Sequence, residues 1–326
     1  MQKELKSQKN KLPLYKKHRR SIPEKVAWGT LWLIFPPKDR VFRGTLFRVS
    51  TFVFLVLVSM FWWITKDLPT KNLTERDIDL TTKIYDRNGK LLYNIYADKN
   101  RTLLPFDQIP QNIKSATIAI EDKDFYKHKG FDILGVIRAA TSIAFKQELQ
   151  GGSTITQQLV KTAFLSPERN LTRKIKELYL AYQVESKFSK NQILEMYLNE
   201  VPYGGTAYGI EAASQTYFGK KVSELTLGES ALIAGLPQSP TTYSPFGNNP
   251  KLAKQRQAEV LRRMVEDKTI TAEESEKAIS EVLIFSQPNI DIKAPHFVLF
   301  IKDQLAQKYG DKLVEQGGLK VTTTLD

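Results

Sequence analysis

Residues 121–132 read Glu-Asp-Lys-Asp-Phe-Tyr-Lys-His-Lys-Gly-Phe-Asp, and residues 151–161 read Gly-Gly-Ser-Thr-Ile-Thr-Gln-Gln-Leu-Val-Lys. A third cluster, Arg173-Lys174-Ile175-Lys176-Glu177, follows. The first offers carboxylates and an imidazole, the second hydroxyls, amides and an ammonium, the third two cations beside a carboxylate. Residues of these types can take a proton from a hydroxyl at one end of a site and hold a polyanion at the other.

Each cluster also has a plainer reading. Glu121 and Asp122 follow the apolar run Ala116–Ile120. A carboxylate at the edge of apolar packing is pushed toward a raised pKa, which suits a general base, whereas a lone acidic pair reads more simply as a helix cap with an acidic first turn. Phe125 and His128 lie four and seven residues after Glu121, so they are expected to share its helical face. Alone, His128 reads as a structural imidazole before Gly130. Gly151-Gly152 leads to Ser153 or Thr154 as N-cap. On the helix that follows, Thr154, Gln158 and Lys161 share one face, and Ile155, Leu159 and Ala163 another. That N-terminus could cradle phosphate, although the P-loop spacing is absent, or it could be an ordinary amphipathic helix. Arg173 and Glu177 form an i, i+4 pair, either a surface salt bridge or a pyrophosphate site. In the second case Arg173 and Lys174 meet the phosphates, and Glu177 orients them or holds a divalent cation.

The elements that must position these residues begin with an apolar segment. Val49–Thr65 contains no charge, Leu46 and Phe47 extend it, and Trp62 and Trp63 sit near its end. This is near the minimum length for a membrane helix, with an aromatic belt at its end; the plainer reading is a buried core helix. The basic stretch before it is too long for a signal peptide and no small-x-small site follows Ile64, so an uncleaved anchor is expected. The net charge is +13, but residues 1–48 hold 13 Lys/Arg against 3 Asp/Glu, a net of +10, leaving +3 for the rest. The basic excess is a tail, which argues against nucleic acid as a partner and places the N-terminus in the cytoplasm. Val26–Phe35 is a shorter apolar stretch, suited either to the membrane interface or to a loose juxtamembrane segment. There is no cysteine, which excludes disulfides, thiolate metal sites and a Cys nucleophile.

Past the anchor, segments 81–85 and 91–96 flank Asp86-Arg87-Asn88-Gly89 and predict a hairpin. From Ile113 the pattern is helical. Ser189/Gln192, Thr226/Glu229 and Thr271/Glu274 have capping-box spacing, and Ile193, Met196 and Tyr197 recur at helical intervals. Gln287-Pro288-Asn289 reads as a linker, Pro295–Tyr309 as a helix, and Gly317–Asp326 as a turn entering a strand that needs a partner.

Taken together, the clusters at 121–132, 151–158 and 173–177, with Lys190–Asn199 and the Tyr203 to Gly219 region, resemble the peptidoglycan glycosyltransferases of glycosyltransferase family fifty-one. These form the membrane-proximal domain of class A penicillin-binding proteins and the monofunctional transglycosylases. The resemblance covers about 79–285. It implies a mainly α, lysozyme-like domain with a small membrane-embedded jaw, for which Ile133–Phe145 is suited, preceded by a single transmembrane helix and a short β-hairpin. The organisation expected is a basic cytoplasmic tail at 1–45, an anchor at 46–66, the glycosyltransferase domain at 79–285 and the start of an interdomain linker at 286–326.

The resemblance implies lipid II and the growing glycan chain as partners at the outer face of the membrane, alongside cell-wall synthesis or division proteins. In its mechanism Glu121 deprotonates the acceptor hydroxyl and the lipid pyrophosphate leaves with inversion. Lys161, Arg173 and the second catalytic carboxylate, Glu177, stabilise the leaving group, with Mg²⁺ on Glu177 in some members and no organic cofactor. Asp122, Phe125, His128, Ser153, Thr154, Gln158 and Lys174 line or shape the site. The Ser-x-x-Lys of a transpeptidase is absent from this sequence, and Lys161-Thr162 and Lys268-Thr269 are not followed by Gly. The expectation is polymerisation without cross-linking. The competing readings are a lysozyme-like glycan hydrolase, which has no need of the cationic set, and a non-catalytic membrane scaffold.

Overall fold

The computed structural model describes residues 40–66, 68, 78–130, 153–166, 168, 170–286 and 292–326. The expectations for Val26–Phe35, the jaw at Ile133–Phe145, Gly151-Gly152 and Gln287–Asn289 fall outside them. The chain divides into two compact units, Met1–Trp63 and Ile64–Asp326. Helix α1, Arg40–Thr65, carries the apolar segment. Its stretch Phe47–Thr65 has a mean hydropathy of 1.9 over 19 residues, a rise of roughly 28 Å, enough to cross a bilayer core.

In the second unit β1 (Thr82–Tyr85) and β2 (Leu91–Ile95) form the expected hairpin. Asp86 accepts hydrogen bonds from the backbone N–H groups of Asn88 and Lys90, and Gly89 takes the left-handed conformation that closes the turn. The C-terminal strand β6 (Lys320–Thr322) finds its partner in β1, which it pairs in parallel. Helices α10 (Pro295–Tyr309) and α11 (Asp311–Gln316) pack Val298 and Val314 onto Ile84, Leu92 and Ile95 of that sheet. Segment 292–326 therefore shares a core with the hairpin. A second small sheet joins β3 (Asn100–Arg101), β5 (Ala207–Tyr208) and β4 (Pro202–Gly204).

The remaining elements are helical. Helix α2 (Gln111–Glu121) packs against α7 (Leu227–Gly235) and α8 (Pro250–Glu266). Small side chains line that contact: Ala116 and Ala119 meet Ala231 and Ala234, with Val260, Leu261 and Met264 closing the layer. A larger core joins α3 (Ile155–Phe164), α4 (Leu171–Lys187), α5 (Lys190–Glu200) and α6 (Ile210–Phe218). Local chemistry sets the ends. Thr154 caps α3 and Asn170 caps α4. The three capping boxes form, ahead of α5, α7 and α9 (Ala272–Ser280).

One side chain fastens α5 to the loop after β3. Asn199 accepts from the Leu104 N–H at 2.9 Å and donates to the Leu104 carbonyl at 2.8 Å. Asn199→Ala removes both partners from a half-buried stretch of backbone and should cost about 1–2 kcal/mol, read as a lower thermal midpoint. Asn199→Asp restores only the acceptor and should fall between.

Candidate functional site

Glu121 is the last residue of α2, and its side chain is 8% exposed. Gln158 on α3 donates from Nε2 to Glu121 Oε2 at 2.6 Å, and Tyr197 on α5 donates its hydroxyl to Gln158 Oε1 at 3.2 Å. The tyrosine hydroxyl thus fixes which way the amide points, and three helices meet at one carboxylate. The other oxygen, Oε1, is buried and makes no hydrogen bond among the described residues. Its nearest cation is Arg256 Nη2 on α8, at 3.9 Å.

Burial pushes the Glu121 carboxyl above the ordinary carboxylate range. The Gln158 hydrogen bond and the charges of Arg256, Arg263 and Lys161 pull the other way without cancelling it. The C-terminal end of a helix is also a poor place for negative charge. Burial, with the Glu121 charge second, raises both Tyr197 and Tyr203. Both phenols therefore remain neutral and can donate.

The helix does not continue past Glu121. Asp122 adopts φ −163°, and its carboxylate accepts the backbone N–H of Ile155 at 3.0 Å while pairing with His128 Nε2 at 2.9 Å. Its hydrogen bond to the first turn of α3 replaces an α2 face shared by Glu121, Phe125 and His128. The predicted face is therefore corrected. Phe125 is fully buried in the core beneath Lys190, and so shapes the site without facing it. His128 pairs with Asp122, and among the described residues its buried Nδ1 has no partner.

Thr154 is the N-cap. It also donates to the Gly130 carbonyl, which receives Gln157 Nε2 as well. Thr154 and Gln158 therefore do not present one open polar face: the first is buried in the α3 cap, and the second is turned to Glu121. Lys161 is exposed, and its charge reaches Glu121.

The third cluster gathers around Glu177, a buried carboxylate and not the surface partner expected of an i, i+4 pair. Arg173 Nε lies 3.1 Å from one of its oxygens and Lys174 Nζ 3.1 Å from the other. Lys174 also donates to Ser153 Oγ and Gln157 Oε1. Three acceptors use its three donors, so Lys174 and Ser153 form a tie between α4 and α3. Among the described residues no three His, Asp or Glu side chains converge to hold a metal ion, and Glu177 already neutralises two cations. The donor set does not fit a protein-held divalent cation.

The two clusters touch adjacent residues of α3. Glu121 meets Gln158 and the Glu177 group meets Gln157, directions about 100° apart around the helix. A separate apolar cavity of about 520 Å³ lies against the Leu159–Ala163 face of α3, and none of the predicted site residues lines it. The sequence reading missed Tyr197 as a site residue, and with it Arg256 and Arg263. Arg256 and Arg263 lie seven residues apart on α8, a spacing that places them on one face. Arg263 donates to the Ile120 carbonyl at 3.0 Å.

Comparison with known proteins bears on this arrangement. The sequence profile of the Transglycosylase family matches residues 88–265. Penicillin-binding protein 1A of Aquifex aeolicus is 42% identical over 81% of this chain and 36% of its own length. The Vibrio cholerae protein of that name is 38% identical over 83% of this chain and 33% of its own, and the Neisseria flavescens protein 42% over 76% and 31%. The chain spans about a third of the length of these relatives. A solved penicillin-binding protein 1A from Haemophilus influenzae is 26% identical, with a TM-score of 0.44 over 76% of this chain and 27% of its own.

A carboxyl whose pKa is raised on folding binds its proton more tightly in the native state. Its contribution to stability therefore falls as pH rises from the unfolded value through the folded one. Glu121→Gln removes that loss. The variant should match the wild type in thermal midpoint near pH 4 and exceed it increasingly toward neutral pH.

Proposed function

The chain belongs to the Transglycosylase family, and from that premise we propose that it polymerises lipid II into β-1,4-linked glycan strands at the outer face of the cytoplasmic membrane. One observation carries this reading: a buried carboxylate with one oxygen fixed by an amide and the other uncommitted. Glu121 acts as the general base. Gln158 holds Oε2 in place, and Oε1 takes the proton from the 4-hydroxyl of the acceptor sugar. Desolvation makes the carboxylate a stronger base than one in water, and the nearby cations oppose that rise. The deprotonated oxygen attacks the anomeric carbon of the growing chain, and undecaprenyl pyrophosphate leaves from the opposite face with inversion.

The leaving group gains negative charge in the transition state. Lys161 and Arg173 are the cations assigned to it, preorganised by their helices so that little rearrangement is needed during reaction. Glu177 orients Arg173. A divalent cation, if used, would be held chiefly by pyrophosphate oxygens. Asp122, His128, Thr154, Ser153 and Lys174 fix α3 and its neighbours so that Gln158 and Lys161 stay in register.

In this reading residues 1–45 are the cytoplasmic tail, 46–66 the anchor and 79–285 the catalytic domain, with 292–326 packed on its hairpin. The charge asymmetry across the apolar segment supports the orientation. Confining the enzyme to the plane of two lipid-linked substrates raises their effective concentration.

The test is polymerisation of purified lipid II by the full chain in detergent. Glu121→Gln should lower the rate by about 10²- to 10⁴-fold, the usual worth of a general base. Lys161→Ala should lower turnover while acceptor binding is retained. Equal rates for wild type and Glu121→Gln would remove Glu121 as the base. Shortening of preformed glycan in place of polymer growth would make the chain a hydrolase.

A further inference from the structure

The guanidinium of Arg256 lies in an unusual position relative to Glu121. At 3.9 Å from Oε1 it is close enough for a strong charge interaction but too far for a hydrogen bond. It is held there by other groups. Arg256 Nε donates to the Gly235 carbonyl at 3.2 Å, and the guanidinium lies over the Tyr243 ring at 5.4 Å from its centroid. Gly235 is needed for this approach, because a Cβ at that position would stand 2.8 Å from Arg256 Cγ.

Other groups face Glu121 as well. Helix α3 contributes Gln158, which is bound to Oε2, and Lys161, which is exposed to solvent. Helix α8 contributes Arg263, whose Nε is paired with Glu259 at 2.8 Å and whose Nη1 is bound to the Ile120 carbonyl. Tyr197 of α5 and Tyr203 beside it are neutral phenols. The carboxylate of Asp122, next in sequence, is turned to His128 and Ile155. Arg256 therefore stands apart: it is largely buried, no carboxylate among the described residues lies at hydrogen-bond distance from it, and it faces the uncommitted oxygen.

We infer that Arg256 is a positioning residue for the base: it favours the ionised form of Glu121 while leaving Oε1 open as the atom that accepts the proton. A hydrogen-bonded arginine would stabilise the carboxylate but occupy that atom. A distant arginine would leave the buried carboxyl protonated and inert. The seat made by the Gly235 carbonyl and the Tyr243 ring holds the guanidinium between these cases. The inference rests on Glu121 being the general base of the proposed reaction.

The test compares wild type, Arg256→Gln and Arg256→Lys as full chains in detergent. The rate of lipid II polymerisation is measured across pH. In parallel, carbodiimide modification of Glu121, which requires the protonated carboxyl, is mapped by peptide mass. Removing an opposite charge at this distance shifts a carboxyl by about one to three pH units. Arg256→Gln should move the acidic limb of the rate profile, and the pH of half-modification, upward by that amount, with the rate recovering at higher pH. Arg256→Lys should return both most of the way. If Arg256→Gln lowers the thermal midpoint, Gly235→Ala gives the answer, since it keeps the guanidinium but displaces it: a shifted midpoint supports the role, and an unshifted one contradicts it. A rate reduced by the same factor at every pH, with unchanged half-modification, would make Arg256 purely structural. If the wild type makes no polymer, the lipid II reading fails while the modification midpoint still decides the role of Arg256.

Discussion

A carboxylate buried where two helical cores meet is the constraint on which the rest of this structure depends. Glu121 ends α2, which is packed through alanines against α7 and α8. The hydrogen bond it receives from Gln158 reaches α3, which belongs to the larger core with α4 and α5. Burying a charge is costly unless it is paired and hydrogen-bonded. The fold satisfies one oxygen and surrounds the carboxylate with cations. It leaves the other oxygen unsatisfied, a local cost of the kind found at functional sites.

Helix α3 is the common spine. Its N-terminus is held by Asp122 and capped by Thr154. Gln157 and Ser153 anchor it to Lys174, and Gln158 and Lys161 address Glu121. Most polar residues of the three sequence clusters thus serve to hold this helix still. In the proposed reaction such rigidity would hold base and leaving group about one substrate position, where a small misplacement costs orders of magnitude in rate.

What could be read from the sequence followed the range of the interactions. Capping boxes and the Asn-Gly turn involve residues a few positions apart, and their residue types name the bond they form, so α5, α7, α9 and the first hairpin were legible. The bond from Gln158 to Glu121 was not, because the sequence reading placed Gln158 with Lys161 on a phosphate-facing side of α3. Periodicity misplaced Phe125 and His128 because Asp122 had a better use for its carboxylate than continuing α2. Arg256 could not be found locally: it is 135 residues from Glu121 in sequence (256 − 121), and only the packing of α8 on α2 brings them together. The partner of β6 was hidden for the same reason, since β1 lies more than 200 residues earlier.

The central claim is that Glu121 is a desolvated base, protonated over a range in which ordinary carboxylates are ionised. Isotope-edited infrared spectroscopy, following the carboxyl C=O stretch of glutamate against a Glu121→Gln control, reports its ionisation directly. The account predicts a midpoint clearly above the unperturbed glutamate value of about 4.3. A midpoint at or below that value would show a solvated or fully paired carboxylate and contradict it.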